Sequence, residues 1–277
     1  MRRQHTVAGG GGLRLNVMEW GRAEGPPILF IHGWSQAHLC WLKQVEGALA
    51  DEFRLVAFDL RGHGLSAAPA GFEHYTRNDL WADDVKAVVD TLGLRGAVLV
   101  GWSYAGLVIT DYVRAHGDDA IAGINFVGAA ARIGEQAMGS LIGPGFTDIF
   151  ARAAGSDLEA AIDAMREFIE RCFAVKLSRR DYERVLCWNM TARPDVRAAL
   201  GAREVDGCDA LGALTRPVLV SHGRRDVTVL PAMAELILAH CPTATPSWYE
   251  EAAHGPFMED PARFDDELAR FARAAQA

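Results

Sequence analysis

The sequence predicts an α/β protein, a mostly parallel sheet with helices on both faces. Three observations carry this. Apolar runs without polar alternation, such as ILFI (28–31), LVAF (55–58) and AVLV (97–100), are separated by segments with helical spacing, as in strands buried on both faces. The 277 residues are 50% hydrophobic and 23% charged, enough for one large core. The alternation breaks only once, from Ala131 to Glu204, where helical segments follow one another and no strand is predicted.

In order, QHTVA (4–8) and LRLNVMEW (13–20) alternate around GGGG (9–12), which predicts a hairpin. These glycines do not spell G-x-G-x-x-G, because the sixth position from Gly9 is Arg14, so a dinucleotide site is unsupported. ILFIHG (28–33) is a strand, AHLCWLKQVEGALA (37–50) a helix and FRLVAFDL (53–60) a strand. Leu80, Val85, Val88, Val89 and Leu92 mark a helix over 79–92. AVLVG (97–101), YAGLVITDYVRAH (104–116) and IAGINFVG (121–128) read strand, helix, strand. FTDIFARAAG (146–155), DLEAAIDAMREFIERCFAV (157–175), SRRDYERVLCWNM (178–190) and RPDVRAALG (193–201) fill the helical stretch. RPVLVSHG (216–223), AMAELILAH (232–240), PSWYE (246–250) and PARFDDELARFARAA (261–275) resume the alternation. The reading is a core of 1–130 with 205–277, carrying a helical insertion at 131–204.

A net charge of −8 gives no basic footprint for nucleic acid and points to neutral or uncharged partners. Five widely spaced cysteines without C-x-x-C read as reduced thiols in a cytoplasmic protein, with neither a disulfide framework nor a zinc site. No apolar stretch follows the basic residues of MRRQHTVAGGGG, so no secretory signal is expected. The run GAVLVGWSYAGLVIT (96–110) is broken by Ser103 and is shorter than the roughly 18 residues a membrane helix needs, so no membrane partner is expected. Nothing in the sequence indicates an oligomeric state.

Four pieces carry chemistry. Ser103 lies in GWSYA (101–105), one letter from the G-x-S-x-G corner that presents a serine between a strand and a helix. A serine hydroxyl needs such presentation and a base to take its proton. GLSAA (64–68) fits the same loose pattern around Ser66, but no strand directly precedes it and Pro69 prevents a helix from starting. His254 follows the last strand, on a loop where a general base belongs. His32, His63, His222 and His240 also lie near strand or helix ends, so a histidine by itself decides nothing. Asp226 ends the preceding strand segment and can orient an imidazole. The loop His32–Trp34 supplies a backbone N–H at Trp34, which with that of Tyr104 forms a candidate oxyanion hole.

The chain resembles the α/β-hydrolase family over nearly its whole length. The resemblance rests on HGW (32–34), FDLRGHGLS (58–66), GWSYAG (101–106), HGRRD (222–226) and AHGPFMEDPARF (253–264). It implies the α/β-hydrolase fold, with an eight-stranded, mostly parallel sheet and a helical cap after the sixth strand. Ser103 is implied as nucleophile, Asp226 as acid and His254 as base. Asp59, Arg61 and His63 are implied as structural ties of the loop after the fourth strand. Dehalogenases and epoxide hydrolases of this fold place aspartate at the nucleophile position. The serine therefore narrows the resemblance to esterases, lactonases and cofactor-free haloperoxidase or perhydrolase relatives, in which proline often follows the Trp; here Ser35 stands there.

The expected function is hydrolysis of a carboxylic ester or lactone through an acyl-enzyme, with no cofactor and no metal. Perhydrolysis and carbon–carbon bond hydrolysis use the same triad, and a slow-turnover small-molecule receptor is a further alternative. The substrate is expected to be an uncharged acyl compound, held by Trp34, Tyr104, Trp102, Trp188, Met190 and Phe257.

Overall fold

The computed structural model describes residues 2–277. Its main sheet has eight strands: β1 (Arg3–Ala8), β2 (Arg14–Gly21), β3 (Pro27–Ile31), β4 (Arg54–Phe58), β5 (Ala97–Trp102), β6 (Ile121–Val127), β9 (Val218–Gly223) and β10 (Ala244–Tyr249). A separate two-stranded ribbon is formed by β7 (Arg132–Ile133) and β8 (Val205–Asp206). The order across the main sheet is β1-β2-β4-β3-β5-β6-β9-β10. Both pairings of β2, with β1 and with β4, are antiparallel, and every other pairing in the main sheet is parallel. β5 and β6 are buried along their full length, as strands covered on both faces must be.

Parallel pairing aligns the carboxyl ends of the central strands. Trp102 at the end of β5 pairs with Val127 of β6, Val127 with Ser221 of β9, and Gly223 of β9 with Tyr249 of β10. The loops that leave these ends therefore share one edge, where open α/β sheets bind ligands.

Two stretches differ from the sequence reading. The region 37–50 is not one helix but short turns, His38–Trp41, Leu42–Val45 and Ala48–Asp51. Tertiary bonds override its periodicity: Asp59 takes the His38 amide at 2.8 Å, and Gln44 donates to the Phe257 carbonyl at 2.9 Å. The stretch 131–204 also contains a strand. Arg132 pairs with Asp206 and Ile133 with Val205, so β7 and β8 tie the two ends of the insertion together. Between them run four helices, Pro144–Ala153, Leu158–Cys172, Arg179–Asn189 and Pro194–Gly201. Asp157 and Ser178 cap two of them through the amides of Ala160 and Asp181, both at 3.1 Å. Proline stands in the first turn of the other two.

Candidate active site

Ser103 occupies the corner between β5 and the Ala105–His116 helix with φ 58, one of two non-glycine residues in the left-handed region among the described residues. That conformation costs about 1–3 kcal/mol and persists where neighbours over-determine it. Here the Ser103 amide donates to Val127 at 3.0 Å, and its carbonyl accepts from Gly106 at 3.0 Å and Ala130 at 2.9 Å. The side-chain-free positions of this corner are Gly101 and Gly106. A Cβ on Gly101 would lie 2.5 Å from Ile109 Cδ1, and one on Gly106 would collide with the Ala130 carbonyl. Ala105, where the usual motif has glycine, is fully buried, and its methyl sits at contact distance, 3.4 Å, from the place of a Gly101 Cβ.

His254 Nδ1 lies 2.7 Å from Asp226 Oδ2, and both side chains are buried. Asp226 Oδ1 accepts the amides of Thr228 at 2.8 Å and Val229 at 3.0 Å, which fixes the carboxylate plane. The histidine backbone is held by Trp102 Nε1 donating to its carbonyl at 2.8 Å and by its own amide donating to Cys172 at 2.9 Å. An ionised Asp226 only accepts, so the proton sits on Nδ1 and Nε2 keeps a lone pair. Nε2 is buried with no hydrogen-bond partner among the described residues. Gly128, φ 48, allows this packing, because a Cβ there would stand 3.2 Å from His254 Nδ1. Behind the acid, His222 Nε2 lies 2.9 Å from the Val229 carbonyl and 3.4 Å from Asp226 Oδ2. Burial depresses the His222 pKa against the opposing pull of Asp226, so that ring is neutral.

The loop after β3 lies against the serine: a Cβ on Gly33 would be 2.9 Å from Ser103 Cβ and 3.4 Å from its Oγ. The next amide is that of Trp34, and the amide after Ser103 is that of Tyr104. Neither donates to a backbone acceptor in the structure, so both remain free for a developing oxyanion. Ser35, φ 59, is the other left-handed residue, a conformation that the proline ring, fixed near −65°, cannot adopt.

Ser103, Trp34 and Tyr104 line one cavity of about 30 Å³ with Ala130, Ile133, Ile142, Phe146, Phe168, Gly201, Thr228 and Val229. Four residues expected in the pocket lie elsewhere. Trp102 packs behind the site, its ring centroid 5.5 Å from that of His254. Phe257 is enclosed by Trp41, Trp102 and Phe264. Trp188 donates to Gln36 Oε1 at 2.7 Å and lines a separate outer groove, and the Met190 sulfur accepts from Arg197 Nη2 at 3.5 Å. The actual lining comes from the insertion and from loops far apart in sequence, so sequence spacing carried no signal for it.

The remaining sequence candidates are structural. Asp59 accepts the His38 amide and ring, the Asn16 side chain and the Leu65 amide, all between 2.8 and 2.9 Å. Burial alone would raise its pKa, but the bonds to His38 outweigh it and bring it to about 2. Arg61 pairs with Asp84 at 2.7 Å, and Ser66 Oγ donates to the Asp59 carbonyl at 2.5 Å. Burial holds His32 down to about 4 and His63 down to about 3, so both are neutral. His32 Nε2 accepts from the Leu60 amide at 3.0 Å, and His63 Nε2 from the Ser35 amide at 3.1 Å.

The chain is similar to known proteins in sequence and fold. Residues 28–267 match the model of the alpha/beta hydrolase family. A solved structure from Burkholderia cenocepacia, described provisionally as an aryl esterase, is 33% identical with TM-score 0.93 and 99% coverage of both chains. The esterase RhEst1 from Rhodococcus sp. ECU1013 is 35% identical with TM-score 0.90, covering 98% of this chain and 99% of that one. A non-heme chloroperoxidase from Streptomyces lividans is 27% identical, over 97% of this chain and 99% of the relative.

Proposed function

The chain belongs to the alpha/beta hydrolase family, and from that premise we propose that it is a serine hydrolase cleaving small carboxylic esters through an acyl-enzyme. The observation that carries this reading is the Ser103 corner. A strained serine lines a cavity at the carboxyl edge of the sheet, and on a later loop of that edge a buried histidine has its Nδ1 committed to a carboxylate and its Nε2 unpartnered, no bond to Ser103 Oγ being formed.

Ser103 Oγ attacks the ester carbonyl while His254 Nε2 takes its proton, and Asp226 stabilises the resulting imidazolium. The carbonyl oxygen gains negative charge against the Trp34 and Tyr104 amides, each such donor being worth about 2.7–4 kcal/mol in the transition state. His254 then protonates the departing alcohol. Water, deprotonated by the same nitrogen, attacks the acyl-enzyme and releases the acid and free Ser103.

Ile133, Ile142, Phe146, Phe168 and Val229 offer an acyl group no charge partner, which supports an uncharged substrate. The small cavity favours a short acyl chain. The helices of 131–204 are read as a cap over this pocket, on the core of 1–130 and 205–277. Five unpaired cysteines, three of them buried, support a reducing, cytoplasmic setting.

The test is turnover of p-nitrophenyl acetate by the wild type and by Ser103→Ala. At least a thousandfold advantage of the wild type is expected, and equal rates would sink the hydrolase reading. Running lactones, diketones and acyl esters with hydrogen peroxide beside it separates ester hydrolysis from the reactions that share its nucleophile.

A further inference from the structure

The two residues whose amides face the oxyanion site also reach, by their side chains, to the same helix of the insertion. Trp34 Nε1 donates to the Arg197 carbonyl at 3.3 Å, and Tyr104 Oη donates to the Leu200 carbonyl at 3.2 Å. Both acceptors lie on the Pro194–Gly201 helix. Two arginines, one within it and one just after, complete the grip. Arg197 Nε donates to Ser35 Oγ at 2.9 Å, and that hydroxyl donates to the Asn189 carbonyl at 2.9 Å. Arg203 Nη1 donates to Tyr104 Oη at 3.1 Å, and the same guanidinium pairs with Asp111 of the helix behind the serine.

Arg197 is an expensive way to hold a loop. It is fully buried, and its bonds go only to Ser35 Oγ, the carbonyls of Ala153 and Asn189, and the Met190 sulfur. Among the described residues no carboxylate pairs with it. Burial without an anion lowers its pKa to about 10, so it still carries its charge at neutral pH. A buried unpaired cation costs stability that a leucine there would not. Ser35 adds a left-handed backbone at a non-glycine residue, directly after Trp34. Both costs fall on the segment that aims the Trp34 amide.

We infer that the Pro194–Gly201 helix sets both oxyanion amides through Arg197 and Arg203, two positioning residues for a transition state that neither touches. Arg197 holds the Ser35 hydroxyl and, by its carbonyl, the Trp34 indole, and so anchors Trp34 on both its side chain and its following residue, which aims the Gly33–Trp34 peptide. Arg203 and the Leu200 carbonyl hold the Tyr104 phenol and so fix the peptide following Ser103. This inference rests on the reading that Trp34 and Tyr104 form the oxyanion hole.

The test uses the whole chain with Ser35→Ala, Ser35→Gly, Tyr104→Phe and Arg197→Met. kcat and KM are measured for p-nitrophenyl acetate, with inhibition by a trifluoromethyl ketone and the pH profile of kcat/KM. Removing an oxyanion donor outright costs about 10²–10³ in kcat, so loosening one is expected to cost about tenfold. Ser35→Ala and Tyr104→Phe should each lower kcat by that factor with KM within about twofold. The ketone should bind about tenfold more weakly, and the pH midpoint should stay in place. Ser35→Gly removes the hydroxyl while relieving the backbone, so a matching loss there assigns the effect to the hydroxyl grip. Arg197→Met should be at least as impaired wherever it folds, and the serine variants stand without it. Unchanged kcat, a rise in KM alone, or a moved pH midpoint would each overturn the inference. Wild-type turnover no faster than Ser103→Ala would instead remove the hydrolase reading itself.

Discussion

Two clusters of serine, histidine and aspartate among the described residues carry their hydroxyls differently, and the contrast underlies the function proposed for one of them. Ser66, His38 and Asp59 gather beneath the loop after β4, and Ser103, His254 and Asp226 at the carboxyl edge of the sheet. Both serines sit in G-x-S-x-A. Both histidines turn Nδ1 to a carboxylate, at 2.9 Å in the first cluster and 2.7 Å in the second, and both leave Nε2 buried without a partner. The difference lies in the hydroxyl. Ser66 Oγ donates to the Asp59 carbonyl at 2.5 Å and accepts the Asn16 amide at 2.9 Å, so its capacity is spent on the fold. Ser103 holds its backbone in place by its amide and carbonyl, and its side chain lines a cavity. What suits Ser103 to the nucleophile's role proposed for it is that its neighbours bond the backbone and leave the oxygen free.

The largest effect expected from this contrast is in turnover. Ser103→Ala should lower kcat by about 10⁴ or more, as removal of a triad nucleophile does, with the melting temperature nearly unchanged. Ser66→Ala should do the reverse, keeping kcat within about twofold while losing about 1–3 kcal/mol of stability from two broken buried bonds. The histidines should divide in the same way. His254→Ala should abolish turnover, whereas His38→Ala should cost about 1–3 kcal/mol in chemical denaturation by removing one of the four bonds that hold the buried Asp59 carboxylate. Loss of activity in a folded Ser66→Ala protein would erase the distinction between the clusters.

Acid should strike the structural side of the comparison. His32 and His63 have folded-state pKa values of about 4 and 3, below the ordinary 6.5, so the unfolded chain binds protons that the folded one refuses. Their contribution is complete above pH 6.5 and is lost as pH falls toward those values. Between pH 6 and 4 the two rings alone take away about 2 kcal/mol of stability per pH unit, opposed by Asp111 and Asp265, whose carboxyls burial raises to about 6, so the check is NMR titration of the His32 and His63 ring protons. Titration of either ring near 6.5 would mean that burial does not hold it neutral. The smallest effect belongs to Ala105→Gly. Restoring the usual motif letter should change kcat by less than about twofold and cost about 1 kcal/mol of helix propensity, because the corner already has its free space at Gly101 and Gly106.

Much of this was legible in the sequence, for a physical reason. Strands buried on both faces must be apolar throughout, so β3 to β6 and β9 announce themselves, and the loops at their carboxyl ends follow from chain order. Ser103, Asp226 and His254 were found as residues on such loops. The turns of 37–51 were hidden because long-range bonds from Asp59 and Gln44 decide them. The pocket lining was hidden for the same reason, and aromatic residues such as Trp102 and Phe257 proved to be packing behind the site. Ser35 gave no sign of its left-handed backbone. Arg197 gave a weak one: a charge beside Val196 and one turn before Leu200, on the buried side of its helix, is a polar residue that must have a task.

The most direct measurement is covalent trapping with a fluorophosphonate, followed by mass mapping of the peptides. The account predicts a single adduct on the peptide carrying Ser103, formed in step with loss of esterase activity and absent in Ser103→Ala. An adduct on the Ser66 peptide, or full labelling of Ser103 with activity intact, would contradict it.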